Sequence, residues 1–146
     1  MSVTPNLTPT TVLNPKYKTS PENACGISFD TINKLICDAL GIPVVAYESW
    51  EESCCDPTMG YRYHGFKLSN GKNLPRFTHH ADLVYNTVYK SLKDKITIFN
   101  EHLSTARKNN HYYHSGFTED FQHCEALMRT LNIGTWEPIE VPDYNG

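Results

Sequence analysis

One stretch, between residues 78 and 108, limits what this chain can become. Its apolar side chains Val84, Val88, Leu92, Ile96, Phe99, Leu103 and Ala106 recur every three or four positions. That spacing lines a single face of an α-helix, because 3.6 residues complete one turn. Lys90, Asp94, Lys95, Glu101 and Arg107 fall on the opposite face, where charge keeps its water. At 1.5 Å per residue the helix would be on the order of 45 Å long. A helix of that length needs partners to cover its apolar face.

Two shorter helices are predicted. Residues 30–40 place Ile32, Leu35, Ile36, Ala39 and Leu40 on one face. Asp30 is the expected N-cap, Gly41 the left-handed residue after the end, and Pro43 the stop. Residues 118–131 carry the stripe Phe121, Cys124, Leu127, Met128 and Leu131. Thr118 opens this helix, Glu119 and Asp120 complement its positive end, and Gly134 terminates it. Thr78 is the expected N-cap of the long helix.

Strand signals lie between the first two helices. Residues 44–47 read as a short buried strand. Residues 61–68 and 72–77 flank Ser69-Asn70-Gly71, and Asn-Gly accepts the positive φ angles of a tight hairpin. Pro75 confines the second of these runs to an edge. Residues 48–60 read as a loop with Glu48, Glu51, Glu52 and Asp56 around Trp50. The expected fold is α+β: three helices, one of them long, packed on a small antiparallel sheet.

An extended arm, residues 1–24, precedes a single globular domain of residues 25–146. Pro5, Pro9, Pro15 and Pro21 exclude helix from the arm, and threonines fill much of the space between them. Val3, Leu7, Val12 and Leu13 are more apolar than a linker requires, so they are candidate docking residues.

The chain has 146 residues, enough to bury a core without metal or disulfide. Its formal net charge is −3, with 13 basic and 16 acidic side chains, which argues against nucleic acid as a partner. No run approaches the roughly 20 apolar residues of a membrane span, and no secretory signal pattern opens the chain. A cytoplasmic protein, or a virion component, is expected. The cysteine count is odd, at five, and Cys37 and Cys124 fall on apolar helix faces, so thiols are expected rather than a disulfide framework.

No complete catalytic constellation is visible. The nearest approach is a His/Tyr group, His111, Tyr113, His114 and His123, at one end of the long helix. It defines an alternative reading as a small enzyme or ligand-binding protein. Cys54-Cys55 has acidic neighbours, which raise a thiol pKa where a nucleophile needs it lowered. The expected role is therefore non-catalytic: an interaction or assembly subunit, contacting itself as a homo-oligomer or another protein. Val3, Leu7, Val12, Leu13 and Trp50 are the candidate contacts, since Trp is enriched where binding energy concentrates. A nucleic-acid mimic using clustered carboxylates is a third, weaker possibility. No cofactor and no metal is expected, because the histidines match no metal-ligand spacing. Elemental analysis of protein purified without a His tag should find well under one equivalent of zinc, iron or manganese. Stoichiometric metal lost on changing His111 and His114 to Ala would overturn the non-catalytic reading.

Overall fold

A computed structural model describes residues 27–53, 55, 56, 58–109 and 118–134. The described elements are helix α1 (Phe29–Ala39), strands β1 (Val44–Glu52) and β2 (Gly60–Leu68), helix α2 (Ala81–Ser91), a 3-10 turn (Lys93–Lys95), helix α3 (Ile96–Asn109) and helix α4 (Thr118–Thr130). The α+β class is as expected. The arm, including Val3, Leu7, Val12 and Leu13, lies outside the described residues. No described helix is long and apolar enough to cross a membrane.

The predicted long helix is divided. Leu92 leaves helical geometry at φ −130° and ψ 41°, separating α2 from the 3-10 turn and α3. Four helices therefore stand among the described residues where three were expected. The apolar spacing runs through the break, from Val88 to Leu92 to Ile96, so periodicity could not reveal it. Packing supplies the reason. Both α2 and α3 lie against α4, whose 13 residues are about 20 Å long. A straight rod of twice that length would leave half its apolar face in water. The break lets both halves reach the same short helix.

Helix α4 is buried on every side from Phe121 to Met128. The sequence predicted only its apolar stripe. Arg107, near the end of α3, meets Glu119 and His123 at the start of α4. His102, earlier in α3, faces Arg129 near the end of α4. The two helices thus run antiparallel. Phe77, Phe99, Phe121, Ile32, Ile36, Val84 and Leu127 form the centre of one continuous core.

Helix ends depart from the expected caps in three places. Ser28, not Asp30, caps α1, its Oγ accepting from the Thr31 amide at 3.2 Å. Asp30 sits in the first turn, where its carboxylate reaches out to strand β2. Thr78 does not cap α2. It is fully buried, donating its amide to Asn33 Oδ1 at 3.2 Å while its Oγ1 accepts from Asn33 Nδ2 at 3.1 Å. The α2 N-terminus is served instead by Asp120 of α4, which accepts from the Ala81 amide at 3.0 Å. Asn132, at φ 58°, takes the left-handed position directly after α4, and the expected Gly134 is left-handed too, at φ 72°, two positions further on. Gly41 holds its predicted role at φ 76°, with the Ile42 amide donating back to Cys37 O at 2.9 Å.

The sheet also differs from expectation. Its two strands are β1 and β2, antiparallel, with Val44 opposite Leu68 and Glu52 opposite Gly60. Residues 48–52, read as part of an acidic loop, continue β1, although glutamate is depleted in strands. The Asn70-Gly71 turn does form, with Gly71 at φ 84°, but the returning chain makes only one bridge, Lys67 to Asn73. Pro75 has no amide proton to continue the ladder.

Cys37 and Cys124 are fully buried, as expected of small apolar side chains. Burial, helped by the neighbouring Asp38 charge, pushes the Cys37 thiol up to about 11. Phe99 is 1% exposed, while Leu92 and Ile96, expected beside it in the core, are only half-buried. Phe99→Ala should cost about 3–5 kcal/mol, because the cavity adds to the lost transfer energy. Equilibrium denaturation showing less than about 1 kcal/mol would mean that the packing around Phe99 is not as described.

Candidate functional site

The two strands make a ribbon that is anchored at one end and open at the other. At the anchored end Val44, Phe66 and Leu68 pack against the core. Asp30 of α1 accepts from the Phe66 amide at 3.2 Å, tying helix to ribbon. Gly65 is buried there, and the close approach requires glycine. A Cβ would lie 2.8 Å from the Tyr63 ring, 3.0 Å from the Tyr47 ring and 3.1 Å from Asp30 Oδ2. Burial raises the Asp30 pKa, a rise the Phe66 amide only partly offsets. The Asp30 charge in turn leads the causes that raise the Tyr63 hydroxyl. Lys34 extends the anchor: its ammonium pairs with Asp38 and lies 5.7 Å from the Phe66 ring centroid.

Beyond Tyr47 the ribbon leaves the body. The five residues from Glu48 to Glu52 span about 16 Å at 3.3 Å each. Apart from half-buried Ser49, every described residue from Glu48 to His64 is exposed. Among the described elements, α1 is the one the strands pack against substantially. At the far end the Ser53 amide donates to Met59 O at 2.8 Å, and Asp56 Oδ1 accepts from both the amide and the hydroxyl of Thr58. Those two donors lower the Asp56 pKa.

Side chains alternate between the two faces of the ribbon. One face holds Glu48, Trp50 and Glu52 opposite His64, Arg62 and Gly60. Arg62 pairs with Glu48 at 2.8 Å, an exposed contact that contributes little to stability. The Trp50 indole lies over Gly60, where a Cβ would be 2.7 Å from the ring. Trp50 is nonetheless 55% exposed. The other face holds Tyr47, Ser49 and Glu51 opposite Gly65, Tyr63 and Tyr61. Tyr61 is 62% exposed and Met59, in the turn, 61%. Lys67 sets its ammonium 4.7 Å from the Tyr47 ring centroid. Glu48, Ser49, Trp50 and Arg62 enclose an open recess of about 450 Å³.

Of the sequence-predicted contact residues, Trp50 is described, and it is exposed as a contact residue must be. What the sequence did not offer was its neighbourhood. Met59 in the turn, and Tyr61 and Tyr63 on the opposite face, share the ribbon with it only because β1 runs on through the glutamates.

The His/Tyr alternative is represented by His123 alone, since His111, Tyr113 and His114 lie outside the described residues. His123 is 2% exposed. Its Nδ1 proton donates to Glu119 O at 2.7 Å, and its Nε2 faces the Arg107 guanidinium at 3.5 Å. The Tyr85 ring meets it edge-on, with centroids 4.9 Å apart. Both ring nitrogens are thus engaged by the helix pair itself. Beside it, Tyr85, Asn100, Leu103, Ser104, Arg107 and Lys108 line a groove of about 430 Å³. That lining brings no histidine, carboxylate or thiol to the surface. Among the described residues, no three His, Cys, Asp or Glu side chains are grouped to hold a metal.

Comparison with protein-family models, with curated proteins and with solved structures gives no match.

Two histidines outside the ribbon carry a pH response. Burial, then the Arg76 charge, lowers the His79 pKa. Burial, then Arg129, lowers that of His102. Both are held neutral in the folded chain and bind protons more readily once unfolded. Their contribution to stability is complete above the unfolded value of about 6.5 and is lost as pH falls through the lower folded values. The melting temperature should therefore fall on acidification from about pH 7.5 to about pH 5, and fall less in His79→Gln and His102→Gln. An unchanged slope in both variants would place the titration elsewhere.

Proposed function

We propose that this chain is a non-catalytic protein-interaction or assembly subunit whose contact element is the β1–β2 ribbon. One observation carries the reading: Trp50, Met59 and Tyr61 are each more than half exposed on a ribbon that, among the described elements, packs substantially against α1 at one end. Burying a large apolar side chain is worth roughly 1.5–3 kcal/mol, so leaving several in water has a cost that a partner would remove. Aromatic side chains of this kind dominate binding energy when a partner desolvates them. The strand edges add to it. Backbone donors and acceptors along an unpaired edge are a template for another chain, and an isolated two-stranded ribbon is marginal without further contact.

Self-association through the arm belongs to the same proposal. Val3, Leu7, Val12 and Leu13 would each gain from burial on a second copy, and arms exchange readily between protomers. The small-enzyme alternative draws no support from the groove beside Tyr85, whose lining carries no histidine, carboxylate or thiol.

A photoreactive benzophenone side chain tests both contacts in the full chain, expressed in its native cells. Placed at Tyr61 it should give a discrete adduct with another protein. Placed at Leu7 it should give a band at twice the 16.7 kDa chain mass. Tyr89, also half exposed but on α2, is the control. No adduct at Tyr61 beyond that at Tyr89 removes the ribbon as the contact element. No doubled band at Leu7 removes self-association through the arm.

A further inference from the structure

We propose that the ribbon receives a basic polypeptide segment, one rich in arginine and lysine, and the inference rests on the ribbon being the contact element. Charge distribution is the first reason. Between Glu48 and His64 the chain has four carboxylates, Glu48, Glu51, Glu52 and Asp56, against the single guanidinium of Arg62. Counting Lys67 as well, the whole ribbon from Val44 to Leu68 has four carboxylates against two cations. Lys67 lies at the anchored end, so the projecting part of the ribbon is locally acidic. The two Asp56 contacts from Thr58 favour its charged form.

Chemistry within the ribbon is the second reason. Its surfaces already take cations from the same chain: Arg62 on Glu48 at 2.8 Å, and Lys67 over the Tyr47 ring at 4.7 Å. Glu51 and Glu52 make no ion pair among the described residues, and Trp50, Tyr61 and Tyr63 present further ring surface. A guanidinium beside a carboxylate can also stack on an indole, and the two attractions reinforce each other.

The same charges disfavour other occupants. A second ribbon would bring carboxylates against carboxylates. A nucleic acid would bring phosphates against them. A basic segment meets neither obstacle, and its on-rate gains from the field it approaches.

Fluorescence anisotropy with labelled nona-arginine and nona-glutamate peptides on the full chain is the test. Nona-arginine should bind saturably and nona-glutamate should not. At low salt, Glu51→Gln combined with Glu52→Gln should weaken binding roughly tenfold, since the paired charges are then weakly screened. Near 0.3 M salt, where ionic attraction is damped, Trp50→Ala should still weaken it by about threefold if the ring is used. Asp94→Asn with Glu101→Gln, far along the chain, should change nothing. All these side chains are exposed, so unchanged denaturation midpoints will confirm folded variants. Absent nona-arginine binding, or binding reduced as much by the control pair as by the ribbon pair, overturns the proposal. If nona-arginine fails while the Tyr61 adduct persists, only the basic-partner inference falls. If both fail, the ribbon reading falls with it.

Discussion

Burial of helix α4 is the constraint on which the other helices depend. Eight consecutive residues, Phe121 to Met128, are withdrawn from water, including Gln122, His123 and Glu125. Polar groups withdrawn in this way must find partners, or each costs roughly 1–3 kcal/mol. His123 uses both ring nitrogens, and Glu125 pairs with Arg129 one turn on at 3.2 Å. A buried ion pair of this sort adds little net stability, but removal of one partner leaves a costly charge behind. These polar fixtures set how α4 is turned about its axis. The positions of α2 and α3 follow from it.

Local chemistry made several parts of the fold legible in the sequence. The apolar periodicities of residues 30–40 and 118–131 correspond to real helices, Gly41 ends the first, and Phe99 lies in the core. Three features were not legible, each for a physical reason. The break at Leu92 leaves the apolar spacing unbroken and is set by the length of α4. Asn132 turns left-handed before Gly134 does at the end of α4, because asparagine also tolerates that conformation. Strand β1 continues through Glu48, Glu51 and Glu52 against their propensity, since Arg62 and the glycine under Trp50 lie across from them.

The ribbon was half legible. Trp50 stood out as an odd residue among acids, and Asn70-Gly71 as a turn. The strongest turn signal in the chain, however, makes a return of one bridge, while the hairpin that matters closes through Asp56 and Thr58. An Asx turn of this kind has no dipeptide signature as clear as Asn-Gly. The placing of Trp50 on one face and of Tyr61 and Tyr63 on the other is a property of register. One residue of slip would turn a strand's side chains to the opposite face.

The Asp120 carboxylate that holds the Ala81 amide has a consequence for motion. An ordinary helix frays from its first turn, since its own cap opens locally at little cost. Here the acceptor for α2 belongs to another helix, in the first turn of α4. The opening of α2 must therefore strip α4 of a neighbour, and any loosening of the α4 start must uncap α2. Amide protons in the two first turns should exchange as one cooperative unit, although 39 residues of chain separate them.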